Sequence, residues 1–297
     1  MNPLRFTQRL RDFWPFLWWA ALITAMIFIF LLLRSASFIT LIGFGVIAIL
    51  IYRSRWLIPF AKKVWCFQRV AAPGIRLLYD PELQNLGISS SILQTCQTEL
   101  QRLGEHFGFS LPGELRIFLF AHWKEIGRIF GQPAGAISLV RFNTILIGSD
   151  HPYMRETLRH ELTHLFPGRW DWLVPPLLRE GLATWLQGSY WGQQIDAAAL
   201  PYLKDDEPRI TSLLSRKFFY SDPHRQSSYV LAASFTGFLI RTYGWERYQK
   251  LYRRATAIDF KVQFKKCIGT KLEVAESQWR HEALVHIERC HIERCQA

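Results

Sequence analysis

A chain of 297 residues, 49% hydrophobic and 15% aromatic, carries too much apolar material for a disordered protein. Its length allows a membrane segment with one sizeable domain, or two small domains. The formal charge of +12 suits nucleic acid or an anionic lipid surface; no nucleic-acid module is visible and much of the basic excess flanks apolar runs, so the lipid bilayer is the expected partner and nucleic acid is not.

Residues 16–33, FLWWAALITAMIFIFLLL, hold no charge and reach about 27 Å as a helix, close to the thickness of a hydrocarbon core. A second uncharged run, Phe38 to Tyr52, reaches about 22 Å and spans if it borrows linker residues, which predicts helices over about 16–33 and 36–52. A cleaved signal peptide fits less well, because the first run is too long for an h-region and a second follows at once. Arg5, Arg9 and Arg11 precede the hairpin and Arg53, Arg55, Lys62, Lys63 and Arg69 follow it, against Arg34 alone between the runs. The expectation is a two-pass integral membrane protein with its domain in the cytoplasm: residues 1–56 the anchor and 57–73 a basic juxtamembrane linker. An odd set of cysteines, Cys66, Cys96, Cys267, Cys290 and Cys295, agrees with a reducing compartment.

From residue 74 to about 280 the pattern is that of a folded domain. Gly74 to Tyr79 reads as a strand, and Ser91 to Phe107 as a helix with apolar spacing at Ile92, Leu93, Leu100 and Leu103. Leu115 to Phe120 is a second strand and Trp123 to Phe130 a short helix. Ala136 to Val140 and Thr144 to Ile147 form a hairpin around Arg141, Phe142 and Asn143. Strands come first and helices after, so the fold class is α+β, a small mixed sheet followed by a helical subdomain and preceded by the two transmembrane helices.

Next comes RHELTHLF, Arg159 to Phe166, on a helix entered near His151–Pro152 and stopped by Pro167–Gly168. Residues four apart share a helix face, so His160 and His164 can grip one ion, while Leu158, Leu162 and Leu165 form an apolar ridge on the other side. A plain amphipathic helix with surface histidines is the alternative. Pro175–Pro176 then opens a helix, LLREGLATWLQG, that Gly188 ends. It carries Glu180, with Gly181 and Ala183 small enough for two helices to approach closely. A catalytic zinc needs three protein ligands and one open position, and two histidines with a glutamate is an established set. Glu180 is the candidate third ligand, and one zinc ion the expected cofactor.

HELTH followed by LREGLATW resembles the gluzincin metallopeptidases, thermolysin-like zincins with HExxH and a downstream glutamate helix; the likeness runs from about Gly74 to Arg254. The resemblance implies a zincin-like fold and a zinc metallopeptidase of the endopeptidase kind acting on a peptide or protein substrate. Glu161 would be the general base, with zinc held by His160, His164 and Glu180. It also implies a hydrogen-bond donor to the oxyanion from the next segment, for which Tyr229 and His224 are the candidates, and an extended substrate added to a sheet edge at Thr144 to Ile147. One departure is Thr184, where such enzymes often carry an acidic residue to orient a zinc histidine.

The helix from Tyr229 to Gly244 shows Leu231, Phe235, Phe238, Leu239 and Tyr243 at core spacing. At the end, residues 281–297 repeat HIERC twice; equivalent residues fall about 140° apart on a helix, which reads as a duplicated exposed tail rather than a second zinc site. Two other functions compete with the peptidase. One is a catalytically silent zincin-fold scaffold at the membrane. The other is an intramembrane protease, which Arg155, Glu156 and Arg159 beside the motif make costly in lipid.

Overall fold

The computed structural model describes residues 21–27, 56–84, 87–131, 134–167, 173–203, 208–221 and 223–295, with side chains as far as residue 285. The chain divides into two compact units. The first is built from the chain up to Leu93, Glu114–Ile137 and Leu146–His151; the second from Gln94–Gly113, Ser138–Ile145 and Pro152 onward.

A five-stranded mixed sheet runs in the order β1-β2-β3-β5-β4: β1 (Gln68–Ala72), β2 (Ile75–Tyr79), β3 (Leu115–Phe120), β4 (Ala136–Leu139) and β5 (Thr144–Gly148). β2 and β3 are parallel and their apolar residues are buried, Arg76, Tyr79 and Arg116 being partly exposed, as their near-continuous apolar runs require. β1 is antiparallel to β2; Ala72 pairs with Ile75 across Pro73 and Gly74, the proline fixing one backbone angle and the glycine taking φ +74°. Within the hairpin expected to receive substrate, β5 has a neighbour on each side and β4 is the outer strand, so the edge is at Ala136–Leu139 and not at Thr144 to Ile147.

Residues 57–73 are not a linker. Leu57–Val64 form helix α1 and the next residues form β1. Phe60 and Phe67 are buried, their rings 5.1 Å from Phe118 and 5.2 Å from Phe120. Lys63, which reads as part of a lipid-facing patch, pairs with Asp80 at 2.7 Å and with Glu125 at 3.0 Å. An apolar residue every three or four positions carried the information here, and the basic residues masked it.

The predicted spans over 16–33 and 36–52 lie outside the described residues except for a helical stretch at 21–27, which rises about 10 Å, a third of a hydrocarbon core. Among the described residues no helix is long and apolar enough to cross a membrane. Over the described residues the fold class is therefore corrected to an α+β arrangement of a mixed sheet and helices, none of which spans a membrane, and the two-pass membrane localisation is withdrawn.

In the second unit, helix α2 (Ile88–Phe107, of which this unit takes the part from Gln94) supports the two helices that carry the motif residues, α4 (Met154–Leu165) and α5 (Pro176–Gln187); α3 (Trp123–Phe130) belongs to the first unit. Leu158, Leu162 and Leu165 are fully buried, the ridge the spacing predicts. Glu99 of α2, itself buried, accepts hydrogen bonds at 2.8 Å from the Nε of both Arg102 and Arg159, while Arg102 also donates to the Leu186 carbonyl at 2.9 Å. α2 thus clamps α4 beside His160 and α5 at its last turn. Pro176 opens α5 and Gly188, at φ +93°, closes it.

α5 lies along α8 (Arg225–Tyr243), which follows the hairpin β6 (Ser189–Tyr190) and β7 (Gln193–Gln194) and the short helices α6 (Ile195–Ala199) and α7 (Arg216–Phe219). Leu231, Phe235, Phe238 and Leu239 of α8 are buried as predicted; Tyr243 is half-exposed and donates to Gln278 at 2.9 Å. α9 (Trp245–Arg254), α10 (Phe260–Ile268) and α11 (Leu272–Cys295) complete the unit. The backbone of the HIERC repeat continues α11; its side chains lie outside the described set.

Gly181 sits where α5 meets α8: a Cβ there would stand 2.6 Å from Thr236 Oγ1 and 2.7 Å from the Ala232 carbonyl oxygen. Gly181→Ala should destabilise the protein by about 1–3 kcal/mol. Gly104→Ala, in a helix where the nearest atom to a new Cβ is 3.5 Å away, should stabilise by about 0.4–1 kcal/mol. Urea denaturation of the two variants beside wild type checks the opposite signs.

Candidate metal centre

His160 and His164 lie on one face of α4, and α5 brings Glu180 to the same point. The Nε2 atoms of the two imidazoles are 3.1 Å apart, and Glu180 Oε2 is 3.3 Å from one and 3.4 Å from the other. Three atoms bound tetrahedrally to one zinc at about 2.0–2.2 Å stand roughly 3.3 Å from each other, so this donor set fits a single ion without rearrangement. All three come from the second unit. His160 and Glu180 are buried and His164 half-buried.

The orientation of His160 is set by Gln187. His160 Nδ1 lies 3.1 Å from Gln187 Oε1, and the other end of that amide donates to the Ser189 carbonyl at 2.6 Å, which fixes which atom faces the ring. Nδ1 therefore donates to Gln187, which leaves Nε2 facing Glu180 and His164 as the nitrogen that would give up its proton to bind a metal. Two ring nitrogens 3.1 Å apart need a shared proton or a shared cation between them. Thr184 Oγ1, at 3.5 Å from the same Nδ1, is the more distant partner.

Glu180 divides its two oxygens. Oε1 accepts from the Tyr220 hydroxyl at 2.7 Å and from Arg179 Nε at 3.0 Å, and Arg179 also donates to the Tyr220 oxygen. Oε2 is left facing the imidazoles. Burial pushes this carboxyl up, but the charge on His164, hydrogen bonds from both histidines and the Arg179 charge outweigh it and hold Glu180 well below the usual carboxylate range. His160 shows the converse: burial pulls it down, while the hydrogen bond to Glu180 and the charges of Glu161 and Glu180 carry it above its ordinary value. An ionised, buried carboxylate facing two imidazoles favours positive charge between them.

Glu161, the next residue after His160, is half-buried and close enough for its charge to act on both His160 and Tyr229. The Tyr229 ring lies 6.0 Å from that of His160 and 6.4 Å from that of Tyr220. Burial, first, and the charges of Glu180, Tyr220, Glu161 and Tyr190 hold its phenol well above the usual range, so the hydroxyl keeps its proton. His224 behaves differently: its ring stacks on Phe218 at 4.4 Å, and among the described residues it forms no hydrogen bond, ion pair or ring contact with His160, His164 or Glu180. The structure thus gathers His160, Glu161, His164, Glu180 and Tyr229, and leaves His224 aside.

Gln187, Tyr220 and Arg179 are missed by the sequence reading. Gln187 lies seven positions after Glu180, on the same helix face two turns on, and that spacing is a usable signal. Tyr220 follows a four-residue helix 40 positions downstream, where no periodicity points to the site.

The protein should hold one zinc per chain, measured by elemental analysis after gel filtration, and lose it in His164→Ala and Glu180→Ala. Gln187→Ala should weaken zinc about 10–100-fold in competition with a chromophoric chelator, with Thr184→Ala costing less. No protein-family model matches this sequence, and no curated protein is significantly similar to it.

Proposed function

We propose that the chain is a zinc-dependent peptidase of the gluzincin kind, with His160, His164 and Glu180 as metal ligands and Glu161 as general base. The observation that carries this reading is the triangle of two imidazole nitrogens and one carboxylate oxygen, 3.1–3.4 Å on a side, with a further carboxylate on the adjoining residue. Zinc, when bound there, supplies Lewis acidity that polarises a carbonyl and makes water easier to deprotonate near neutral pH.

The protein supplies the remaining chemistry. Glu161 takes a proton from the attacking water and returns it to the departing amine, so that the peptide C–N bond breaks without a covalent enzyme intermediate. Tyr229 keeps its proton and donates a hydrogen bond to the oxygen on which negative charge develops. Gln187 keeps the His160 lone pair aimed at the metal position, and Tyr220 with Arg179 hold one Glu180 oxygen so that the other is free to ligate.

Glu161→Gln should keep its zinc and lose peptide cleavage by about 10²–10⁴-fold. Tyr229→Phe should lower kcat by about 10²–10³-fold. Cleavage of a mixed peptide library followed by mass spectrometry measures both. Equal cleavage by wild type and Glu161→Gln would overturn Glu161 as the general base, and no cleavage by zinc-loaded wild type would leave a zinc-binding scaffold in place of an enzyme.

A further inference from the structure

The hairpin β6–β7 carries a residue that its backbone does not favour. Ser189 pairs with Gln194 and Tyr190 with Gln193, so the turn is the two residues Trp191 and Gly192. Their φ angles are +51° and +75°, the left-handed pair that a tight hairpin turn requires and that asparagine and glycine fill most easily. A tryptophan at the first of these positions is strained, yet it is 49% exposed, so the core does not call for it. The hairpin is also held in place: Glu156 Oε1, one helical turn before His160 on α4, accepts from Ser189 Oγ at 2.6 Å and from the Gly192 N–H at 3.1 Å.

From this turn a row of rings leads to the metal centre. Trp191 stacks on Tyr190 at 5.0 Å, Tyr190 on Tyr229 at 6.5 Å, and Tyr229 lies 6.0 Å from His160. On the outer side Tyr153, 38% exposed, stacks against Trp191 at 6.5 Å. An aromatic surface, open to solvent at Trp191 and Tyr153, is thus fixed to the motif helix and joined through Tyr190 and Tyr229 to the reacting position. Ring faces and edges reward another ring beyond the area it buries. The carboxylates of Glu156 and Glu161 are matched on the same helix by Arg155 and Arg159, so its charge does not select a polyanion, and the peptidase reading sets a peptide side chain ahead of a nucleobase.

We propose that the Trp191 turn, with Tyr190 and Tyr153, is the specificity surface of this site and selects peptides carrying an aromatic side chain near the bond to be cut. The inference rests on the peptidase reading for its reaction but not for its binding test. Matched peptides with Phe, Tyr, Leu or Ser at one position, scanned along the chain, are titrated by calorimetry into zinc-loaded, full-length Glu161→Gln protein. At one position the aromatic peptides should bind about tenfold more tightly than the Leu and Ser peptides. Trp191→Asn in the same background should abolish that ratio and raise the melting temperature, because asparagine suits the left-handed turn; a merely structural tryptophan would not give both.

An unchanged ratio in Trp191→Asn, or no aromatic preference at any position, overturns the proposal. Cleavage by wild type without aromatic preference sinks it while sparing the peptidase reading. Aromatic-selective binding that depends on Trp191, together with no cleavage by wild type, supports it and sinks the other.

Discussion

Everything in the second unit answers to one electrostatic constraint: a buried carboxylate, Glu180, faces two imidazoles whose inner nitrogens are 3.1 Å apart. Ionised groups out of water are costly unless each lone pair and charge finds a partner. Glu180 meets this condition with Tyr220 and Arg179 on one oxygen and the histidines on the other. Three donors held at the spacing of a tetrahedral metal site, with little room to relax, are what such a constraint leaves when the positive charge between them is a cation.

Holding that geometry requires two helices to be fixed to within a fraction of an ångström. The close approach of α5 to α8 at Gly181 sets the depth of Glu180, since a side chain there would meet Thr236 and the Ala232 carbonyl. The Glu99 carboxylate, shared by Arg102 and Arg159, sets α4 against α2, and the Arg102 bond to the Leu186 carbonyl ties in the end of α5. Gln187, in that last turn of α5, reaches back to His160. The three donor residues, their orienting partners and the packing that places them are therefore parts of one arrangement, and a change in any of these contacts is felt at the candidate site.

The first unit shows how a local reading of charge goes astray. Lysines near an apolar amino end suggest a surface for acidic lipid, but Lys63 spends its charge on Asp80 and Glu125 inside the fold. Phe60, just before those lysines, and Phe67, just before the first strand, bind the segment to the sheet through Phe118 and Phe120. Charge counts along a chain cannot tell a patch that faces outward from one that is neutralised by residues brought back from elsewhere.

Elements whose limits are set within a few residues were legible in the sequence. β3 and α3 have the bounds their apolar patterns predict, and the helix from Pro176 ends at Gly188, because strand alternation, helical spacing, proline and glycine act through backbone geometry alone. The pairing of His160 with His164 is of the same kind, since four residues make one helical turn. Tertiary structure alone decided that Gln187 rather than Thr184 orients His160, that Tyr220 holds Glu180, that Tyr229 and not His224 lies beside the histidines, and that residues 57–73 belong to the fold. Those outcomes depend on how far one helix slides and turns against another, a balance struck among many distant contacts at once, and no short-range pattern along the chain records it.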